Sequence, residues 1–385
     1  MPASPPFVFL ATGGTGGHVF PAEALAEALG RRGVRLALVT DRRGHAYRGA
    51  LANLDVYRIR AAQVAGRKVW QLVRATVALA LGFCQAYRLL RRLKPKVVVG
   101  FGGYASVPTM LAARWLRVPT ILHEQNAILG RANRLLAPLV TTIATAFPAT
   151  GHVRPADAGK VRITGNPVRR AFREVRERSY PALEPGEPFV LLVLGGSQGA
   201  RVFGRIVPKA LAALSAEMRL RLRVHQQCRP EDREAVRNTY ESLGIEADTA
   251  TFFEDVPERM GQAHLVVSRA GASTVAELTA AGRPAILVPY PAATDDHQTA
   301  NARALDEAGA AWLMPEAAFT PEALAARIES FLETPVILDK AAKSARGLGK
   351  AEAAERLVDA VAELLPDATA NGGAVNRRST KGALA

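Results

Sequence analysis

The sequence predicts an α/β protein of two similar domains, each built on a parallel sheet with helices on its faces. The chain opens with a strand, a glycine-rich loop and a helix, and the same order returns from residue 189 onward. Apolar runs typical of strands alternate with helical stretches, which indicates parallel βαβ units. With 385 residues, 49% of them hydrophobic, the chain is long enough for two cores of ordinary size.

The first unit begins with the apolar strand Phe7 to Ala11, which leads into the glycine-rich loop Gly13 to Gly17. We expect a helix from about Pro21 to Gly30, because proline favours the first turn of a helix and glycine its end. Further strands of this unit are predicted at Arg35 to Thr40, Lys96 to Val99, Thr120 to Leu122 and Thr141 to Ala144.

The second unit repeats this plan after the proline-rich segment Pro181 to Pro188, whose composition is typical of a linker. Gly196 lies 182 residues after Gly14, in the equivalent loop. The predicted elements of this unit are a strand at Phe189 to Leu194, a helix at Ala200 to Leu214, strands at Leu265 to Val267 and Ala285 to Val288, and helices at Thr320 to Thr334 and Ala351 to Leu365.

These elements divide the chain into a first domain (1–170), a linker (171–188) and a second domain (189–345). We expect residues 346–366 to form a C-terminal helix that packs back on the first domain. Residues 367–385 are small, polar and basic, a composition typical of disorder.

Basic residues are concentrated in the first half of the chain. Residues 1–170 hold 25 Lys and Arg against 6 Asp and Glu, whereas the remainder holds 25 against 29. This asymmetry predicts that the first domain faces an extended anionic partner, either nucleic acid or an anionic membrane leaflet. A basic face that contacts only solvent is the other interpretation. No RRM, KH or helix-turn-helix signature accompanies the charge, so a nucleic-acid partner is not favoured.

The chain carries no pattern typical of export or of a membrane span. Its first residues lack the basic run of a signal peptide, and the longest uncharged apolar stretch, near residues 75–88, falls short of the roughly 20 residues that a spanning helix needs. Cys84 and Cys228 are too few for a disulfide framework, which favours a reducing compartment. The window from Arg67 to Arg92 has an apolar face flanked by basic residues, and it predicts either an interfacial helix or a helix packed on the core.

The glycine loop Gly13 to Gly17 is a candidate anion site, because glycine lets backbone N–H groups approach a phosphate at a helix N-terminus. A dinucleotide site is the alternative, with Asp41 after the second strand as the ribose-binding carboxylate. The G-x-G-x-x-G spacing fails in this loop, and no Walker A sequence is present.

Two later segments favour a nucleotide sugar. Small residues between Ser268 and Glu277 precede and begin a predicted helix, which leaves room for a diphosphate, and Glu277 can accept hydrogen bonds from two ribose hydroxyls. The polar run Asp295 to Asn301 offers amides and carboxylates to the hydroxyls of a sugar. An ordinary capped helix start is the alternative for each segment.

Taken together, the motifs resemble the MurG family of bacterial N-acetylglucosaminyltransferases, which complete lipid II in peptidoglycan synthesis. The similarity covers about residues 7–365. It rests on Gly13 to Ala22, Gly102 to Ser106, His123 to Asn126, Gly165 to Arg169, Gly195 to Ala200, Ser268 to Glu277 and Asp295 to Ala302.

The resemblance implies a GT-B architecture, in which two Rossmann-like domains face each other across a cleft, with no metal or cofactor required. The sequence likewise has no Asp-x-Asp element of the kind that metal-dependent transferases use. The implied donor is UDP-N-acetylglucosamine, and the implied acceptor is undecaprenyl-diphospho-N-acetylmuramoyl pentapeptide (lipid I), with inversion at the anomeric carbon. Such an enzyme would lie peripherally on the cytoplasmic face of the inner membrane. Another UDP-sugar transferase and a nucleotide-dependent oxidoreductase are the alternatives.

The resemblance also assigns residues. Those implied to bind the donor are Thr15, Gly16, Gly17, Asn126, Arg169, Ser197, Phe253, Ala272, Ser273, Thr274, Glu277 and Gln298. His18 is the favoured catalytic base, because the dipole of a helix N-terminus disfavours the imidazolium form, and Glu124 is its rival. Those expected at the membrane are Arg67, Lys68, Trp70 and Arg74. One departure is His225-Gln226-Gln227-Cys228, where the family often has His-Gln-Ser/Thr-Gly.

Overall fold

Two all-parallel sheets organise the chain, one in each half. The computed structural model describes residues 7–13, 16–41, 49–62, 69–184, 186–196 and 199–365. The predicted positions Gly14, Thr15, Arg67, Lys68 and Ser197, and the tail 367–385, lie outside these residues.

The first sheet has seven strands in the order β3-β2-β1-β4-β5-β6-β7. These are β1 (Phe7–Ala11), β2 (Arg35–Thr40), β3 (Asp55–Arg58), β4 (Val97–Gly100), β5 (Thr120–Glu124), β6 (Thr142–Thr145) and β7 (Val161–Ile163). The helices of this half are α1 (Gly16–Arg31), α2 (Val69–Leu93), α3 (Ser106–Trp115) and α4 (Arg131–Leu136).

The second sheet has six strands in the order β10-β9-β8-β11-β12-β13, which repeats the order of the first. These are β8 (Phe189–Leu194), β9 (Leu222–Gln227), β10 (Glu246–Ala250), β11 (Leu265–Ser268), β12 (Ala285–Leu287) and β13 (Ala311–Leu313). The remaining helices are α5 (Arg170–Glu177), α6 (Arg201–Ala212), α7 (Ala216–Leu220), α8 (Arg233–Ser242), α9 (Val256–Gln262), α10 (Ala272–Ala281), α11 (His297–Asp306), α12 (Pro321–Glu333), α13 (Val336–Leu348) and α14 (Ala353–Ala362).

The predicted strands β1, β2 and β8 are confirmed to the residue. The predicted start of α1 is wrong, because the helix begins at Gly16, five residues before Pro21. Pro21 is the sixth residue of α1, so it lies inside the helix and leaves the carbonyl of Gly17 without its usual N–H donor from residue 21. The earlier start places His18 in the first turn of α1.

Helices cover both faces of each sheet, so each domain has two apolar layers. Central strands such as β1 are buried along their whole length. The segment expected to be a linker contains α5, which packs against α9 and α10 of the second domain. The chain then returns, because α14 packs on α1 and places Leu357, Val358 and Val361 in the core of the first domain.

Candidate active site

In both sheets the strand order changes direction beside the first strand of the domain. There β1 lies next to β4, and β8 lies next to β11. Ligands of doubly wound α/β proteins bind at the carboxyl ends of strands beside such a reversal. In the first domain, Gly13 after β1 lies beside Gly103, which follows β4. In the second domain, Gly195 and Gly196 after β8 lie near Gly271 and Ala272, which follow β11.

A cavity of about 880 Å³ opens between these two edges. Gly17 and Phe20 of α1 line it from the first domain. The predicted residues Ala272, Ser273, Thr274 and Gln298 line it from the second. The sequence analysis did not select the other lining residues, among them Phe20, Arg201, Arg205, Arg229, Arg269, Tyr290, Glu316 and Phe319. The sequence around an arginine does not show whether its side chain lines a cavity or faces only solvent.

The N-terminus of α10 forms one wall of this cavity. Gly271 is its N-cap and supplies no side-chain cap, so the first N–H groups of the helix, at Ala272 to Thr274, have no intrahelical acceptor. The hydroxyl of Ser273 is shielded from solvent and has no hydrogen-bond partner among the described residues. Free N–H groups at the positive end of a helix dipole, beside an unpartnered hydroxyl, suit a phosphate.

Glu277 lies one turn further along α10 and is paired with Arg169. The Arg169 Nη2 atom lies 3.3 Å from Glu277 Oε1, and the Arg169 guanidinium stacks over the Phe20 ring at 5.0 Å. Burial raises the pKa of Glu277 to about 7, although the charge of Arg169 acts in the opposite direction. Arg169 therefore links the wall of the cavity to the carboxylate that was predicted to bind ribose.

Arg169 and Glu277 lie behind the cavity wall rather than in its lining, and Phe253 and Asn126 also lie outside the lining. Phe253 is buried beneath Arg259, whose guanidinium lies 4.1 Å from the ring centroid. Asn126 lies at the contact between the domains, where its Oδ1 accepts a hydrogen bond from Asn301. Of the glycines, Gly16 begins α1 and Gly17 lines the cavity.

His18 lies against backbone that only glycine supplies. A Cβ atom at Gly102 would lie 3.2 Å from His18 Cε1, and one at Gly103 would lie 3.5 Å from His18 Cδ2. Both glycines have positive φ, 91° and 74°, which side chains rarely adopt. The Nδ1 atom of His18 is 3.1 Å from Gln125 Oε1. The ring is therefore positioned in the first turn of α1, beside Gly17 and the cavity.

Glu124, the rival base, is in an environment that does not suit a base. It is 1% exposed, and its carboxylate accepts four hydrogen bonds. The donors to Oε1 are the backbone N and Nδ2 of Asn126, both at 3.0 Å, and those to Oε2 are Gly130 N at 2.9 Å and Asn133 Nδ2 at 2.7 Å. The four hydrogen bonds occupy the lone pairs of this buried carboxylate and hold the loop before α4, while the choice between the two bases stays a prediction.

Asn301 joins the two domains and is fully buried. Its Oδ1 accepts from Ala127 N at 2.8 Å, and its Nδ2 donates to Asn126 Oδ1 at 3.1 Å and to Ala270 O at 3.0 Å. The hydrogen bonds with Ala127 and Asn126 cross the domain boundary, whereas the one to Ala270 stays within the second domain, and only one lone pair of the side chain is left unused. The sequence analysis noted Asn301 only as a polar residue.

Asp295 makes a second link between the domains, to the arginines of α4. Arg131 donates to its Oδ1 from Nε at 3.2 Å and from Nη2 at 3.0 Å, and Arg134 pairs with its Oδ2. Asp295 and Asp296 both have φ near 50°, in the left-handed region. These arginines hold the pKa of Asp295 below its usual range. The turn that precedes α11, the helix that carries Gln298, is therefore anchored to the first domain.

Gln227 shapes the second glycine loop. Its Oε1 accepts from Gly195 N at 3.1 Å, and its Nε2 donates to Gly196 O at 3.1 Å and Thr251 O at 3.2 Å. Cys228 is buried behind it, and burial raises the pKa of its thiol to about 11. The thiol is protonated near neutral pH and has no role as a nucleophile.

An apolar stripe on α2 faces solvent. Trp70, Val73, Val77 and Leu81 follow one face of the helix and are 41–58% exposed, and the nearby Arg74 is exposed as well. The opposite face of α2, which includes Ala86, packs against α3. Of the two predicted interpretations, packing of this stripe in the core is wrong. No helix in the described part of the chain is both long and apolar enough to cross a bilayer.

Comparisons with known proteins agree over both halves. The family described as "Glycosyltransferase family 28 N-terminal domain" matches residues 8–145, and "Glycosyltransferase family 28 C-terminal domain" matches residues 190–357. A protein of Rhodospirillum rubrum is 59% identical over 93% of this chain and 92% of its own, and one of Paramagnetospirillum magneticum is 54% identical over 95% and 99%. Both are named UDP-N-acetylglucosamine--N-acetylmuramyl-(pentapeptide) pyrophosphoryl-undecaprenol N-acetylglucosamine transferase. The crystal structure of Acinetobacter baumannii MurG matches with a TM-score of 0.75 and 30% identity, covering 93% of this chain and 100% of that one.

Proposed function

The chain belongs to glycosyltransferase family 28, and we propose that it transfers N-acetylglucosamine from UDP-N-acetylglucosamine to the 4-hydroxyl of lipid I, giving lipid II. It is a GT-B glycosyltransferase of peptidoglycan synthesis, with two Rossmann-like domains. Another UDP-sugar transferase activity and an oxidoreductase activity are not favoured, because relatives that match over more than nine-tenths of the chain carry this transferase's name.

The observation that carries the proposal is the cavity between the domains, with the free N-terminus of α10 in its wall. We propose that the N–H groups of Ala272 to Thr274, the hydroxyl of Ser273 and the side chain of Arg169 hold the diphosphate. Glu277 would accept hydrogen bonds from the ribose, and Gln298 would contact the sugar. Gly16 and Gly17 at the start of α1 would contact the donor from the first domain. The family resemblance adds Thr15 and Ser197 to the proposed donor residues.

The proposed chemistry is a single inverting displacement. The Nε2 atom of His18 removes the proton from the acceptor 4-hydroxyl, and the resulting oxygen attacks the anomeric carbon. The bond from that carbon to the diphosphate breaks, and UDP leaves with the electron pair. Preorganised donors at the α10 N-terminus stabilise the developing charge, an effect of about 3–4 kcal/mol per donor in other enzymes.

Two predicted donor residues receive narrower roles. Asn126 would act through Asn301, which holds the domains in the arrangement that forms the cavity. Phe253 would support the uracil end of the site from beneath, with its backbone available to the base and its ring held by Arg259. Glu124 would hold the loop that carries Asn126, since it accepts two hydrogen bonds from that residue.

The proposed acceptor carries a lipid, so the enzyme must reach a membrane surface. We propose that the exposed stripe of α2 inserts shallowly, with Trp70 at the interface and Arg74 near anionic headgroups. Arg67 and Lys68, which lie outside the described residues, are proposed as further basic residues of the same membrane contact. The basic first domain adds long-range attraction to the same surface. On this proposal the enzyme works peripherally on the cytoplasmic face of the inner membrane, with anionic lipid rather than nucleic acid as its charged partner.

A transfer assay tests the proposal. The full chain is incubated with UDP-N-acetylglucosamine and a lipid I analogue, and the disaccharide product is separated by chromatography. We expect product with UDP-N-acetylglucosamine and none with UDP-glucose. We also expect no reaction when NADH and an oxidised substrate replace the two transferase substrates. Equal transfer from several UDP-sugars would contradict the donor assignment, and absence of product with a lipid I analogue would contradict the acceptor.

A further inference from the structure

A hydrogen-bonded chain of three side chains ends at His18. It runs from His123 through Gln125 to His18, and it starts at the carbonyl of Gly165. His123 and Gln125 are buried, at 0% and 1% exposure, so water does not compete for their polar atoms. Starting from the buried end at Gly165, each hydrogen-bond partner determines whether the next atom is a donor or an acceptor.

The first restriction comes from Gly165. His123 Nε2 lies 3.1 Å from its carbonyl oxygen, which can only accept, so Nε2 carries a proton. Burial and the nearby His18 lower the pKa of His123 to about 4, so the ring is neutral near pH 7. A neutral imidazole has a single N–H. The other nitrogen, His123 Nδ1, is therefore an acceptor.

The second restriction sets the orientation of the Gln125 amide. The atom 2.9 Å from His123 Nδ1 must be a donor, which assigns it as Gln125 Nε2. The same NH₂ group donates to Phe101 O at 3.0 Å, and it lies 3.1 Å from His123 O. An inverted amide would place its oxygen against these acceptors, in a buried site where such contacts are costly.

The third restriction reaches His18. Gln125 Oε1 faces His18 Nδ1 at 3.1 Å, and an amide oxygen can only accept. His18 Nδ1 must carry the proton. In the neutral ring, the lone pair is then on Nε2, the nitrogen on the other side of the ring from Gln125. Glycines at 102 and 103 allow the ring to lie in this position.

We propose that Gln125 is a positioning residue that holds His18 in the Nδ1–H tautomer and so keeps Nε2 free to accept a proton. The inference rests on the proposed role of His18 as the base. Gln125 would do with a neutral amide what a buried carboxylate does for the histidine of a serine protease, where the third residue orients the ring and selects its tautomer.

The direct test needs no substitution at Gln125. The full chain, which has seven histidines, is prepared with ¹⁵N-labelled histidine, and long-range ¹H–¹⁵N correlations show which ring nitrogen carries the proton. The His18 signals are those missing from His18→Asn. We expect a protonated Nδ1 and an unprotonated Nε2. A proton on Nε2 of the wild-type ring would overturn the proposal.

Two substitutions then test the cause. Gln125→Met removes the acceptor at similar volume, so we expect a mixture of His18 tautomers and a kcat lower by about 10–100-fold, with little change in KM for UDP-N-acetylglucosamine. Gln125→Glu keeps an oxygen opposite Nδ1 and should retain the Nδ1 proton. An unchanged tautomer in Gln125→Met would overturn the proposal.

A matched control is Gln226→Met. Gln226 is a buried glutamine of the second domain that accepts from Tyr240, and it lies outside the hydrogen-bonded chain of His18. We expect it to leave the His18 tautomer unchanged, and a shift in this control would overturn the proposal by making the effect unspecific. If Gln125→Met changes the tautomer while neither it nor His18→Ala changes kcat, the positioning role stands and the proposed base is wrong.

Discussion

Arg169 and Glu277, 108 positions apart, are joined by a 3.3 Å contact between the segment that leaves the first domain and the first helix after β11. The guanidinium also stacks on Phe20, so one side chain contacts the cavity wall and the proposed ribose carboxylate. Donor binding should therefore depend on the ionisation of Glu277.

The affinity for UDP-N-acetylglucosamine should fall as the pH drops below 7. The pKa of Glu277 is about 7 in the free protein, and ribose hydroxyls bind the ionised form, so binding at lower pH must first remove a proton. We expect the dissociation constant to rise by up to about tenfold per pH unit below 7 and to level off above it. Calorimetry on either side of pH 7 measures this slope.

The nucleotide sugar is the better ligand for this measurement, because its diphosphate lacks the terminal ionisation of UDP. The control is Glu277→Gln, which should bind more weakly above pH 7, by about 1.5–3 kcal/mol, and should lose the slope. A slope that persists in Glu277→Gln would assign the titration to another group.

His18→Ala should lower kcat by roughly 10²–10⁴-fold, as expected for loss of a general base. Donor affinity should remain close to that of the wild type, because the imidazole is proposed to act on the acceptor hydroxyl. Steady-state kinetics and calorimetry on the same preparation separate the two quantities. Turnover near the wild-type value would remove His18 from the reaction.

Glu124→Gln should act mainly on stability. The new NH₂ group would face N–H donors of Asn126, or of Gly130 and Asn133, where the carboxylate now accepts. We expect the free energy of unfolding to fall by about 1–3 kcal/mol, measured by urea denaturation. A variant as stable as the wild type but without activity would return the role of base to Glu124.

Vesicle binding should separate into an electrostatic and an apolar part. Changing Arg67, Lys68 and Arg74 to Glu should reduce the dependence on anionic lipid, at roughly 1 kcal/mol for each basic residue that reaches the surface. Trp70→Ser should reduce the binding that survives high salt, since salt screens only the charges. Sedimentation with vesicles of increasing anionic fraction measures both effects.

Leu220→Ser is the matched control for Trp70→Ser, because Leu220 is a large apolar residue of the second domain with 78% exposure. It should leave vesicle binding and nucleotide binding unchanged. Equal binding of the wild type to neutral and anionic vesicles would contradict the electrostatic part of the proposal.

Transfer should not depend on a divalent cation. The sequence has no Asp-x-Asp element, and the N-terminus of α10 with Arg169 is proposed to stabilise the leaving diphosphate. We expect the same rate with EDTA as with Mg²⁺. A rate that is abolished by the chelator and restored by Mg²⁺ or Mn²⁺ would show that the leaving group needs a metal.

The sequence analysis did not predict five of the strands that the structure describes. Four of these are the edge strands of the two sheets: β3, β7, β10 and β13. Edge strands are covered less completely than central ones, so they need no continuous apolar run. The strand β10, with the sequence Glu-Ala-Asp-Thr-Ala, is the extreme case. The fifth, β9, alternates buried and exposed residues near its start and ends in two glutamines. Central strands such as β1 and β8 carry the apolar runs of buried parallel strands and were predicted to the residue.

The sequence by itself determined the two-domain plan, the glycine loops and the segment that begins α10, because these depend on local composition and on a repeated order. Only the tertiary structure decided which side chains meet. His18 and Gln125 are 107 positions apart, and Asn126 and Asn301 are 175 apart. The same holds for Glu124, because only the structure located the four donors to its carboxylate; its role in catalysis stays a prediction. Hydrogen bonding and burial set the role of a polar group, and both depend on chain segments that are brought together only when the sheets and domains pack.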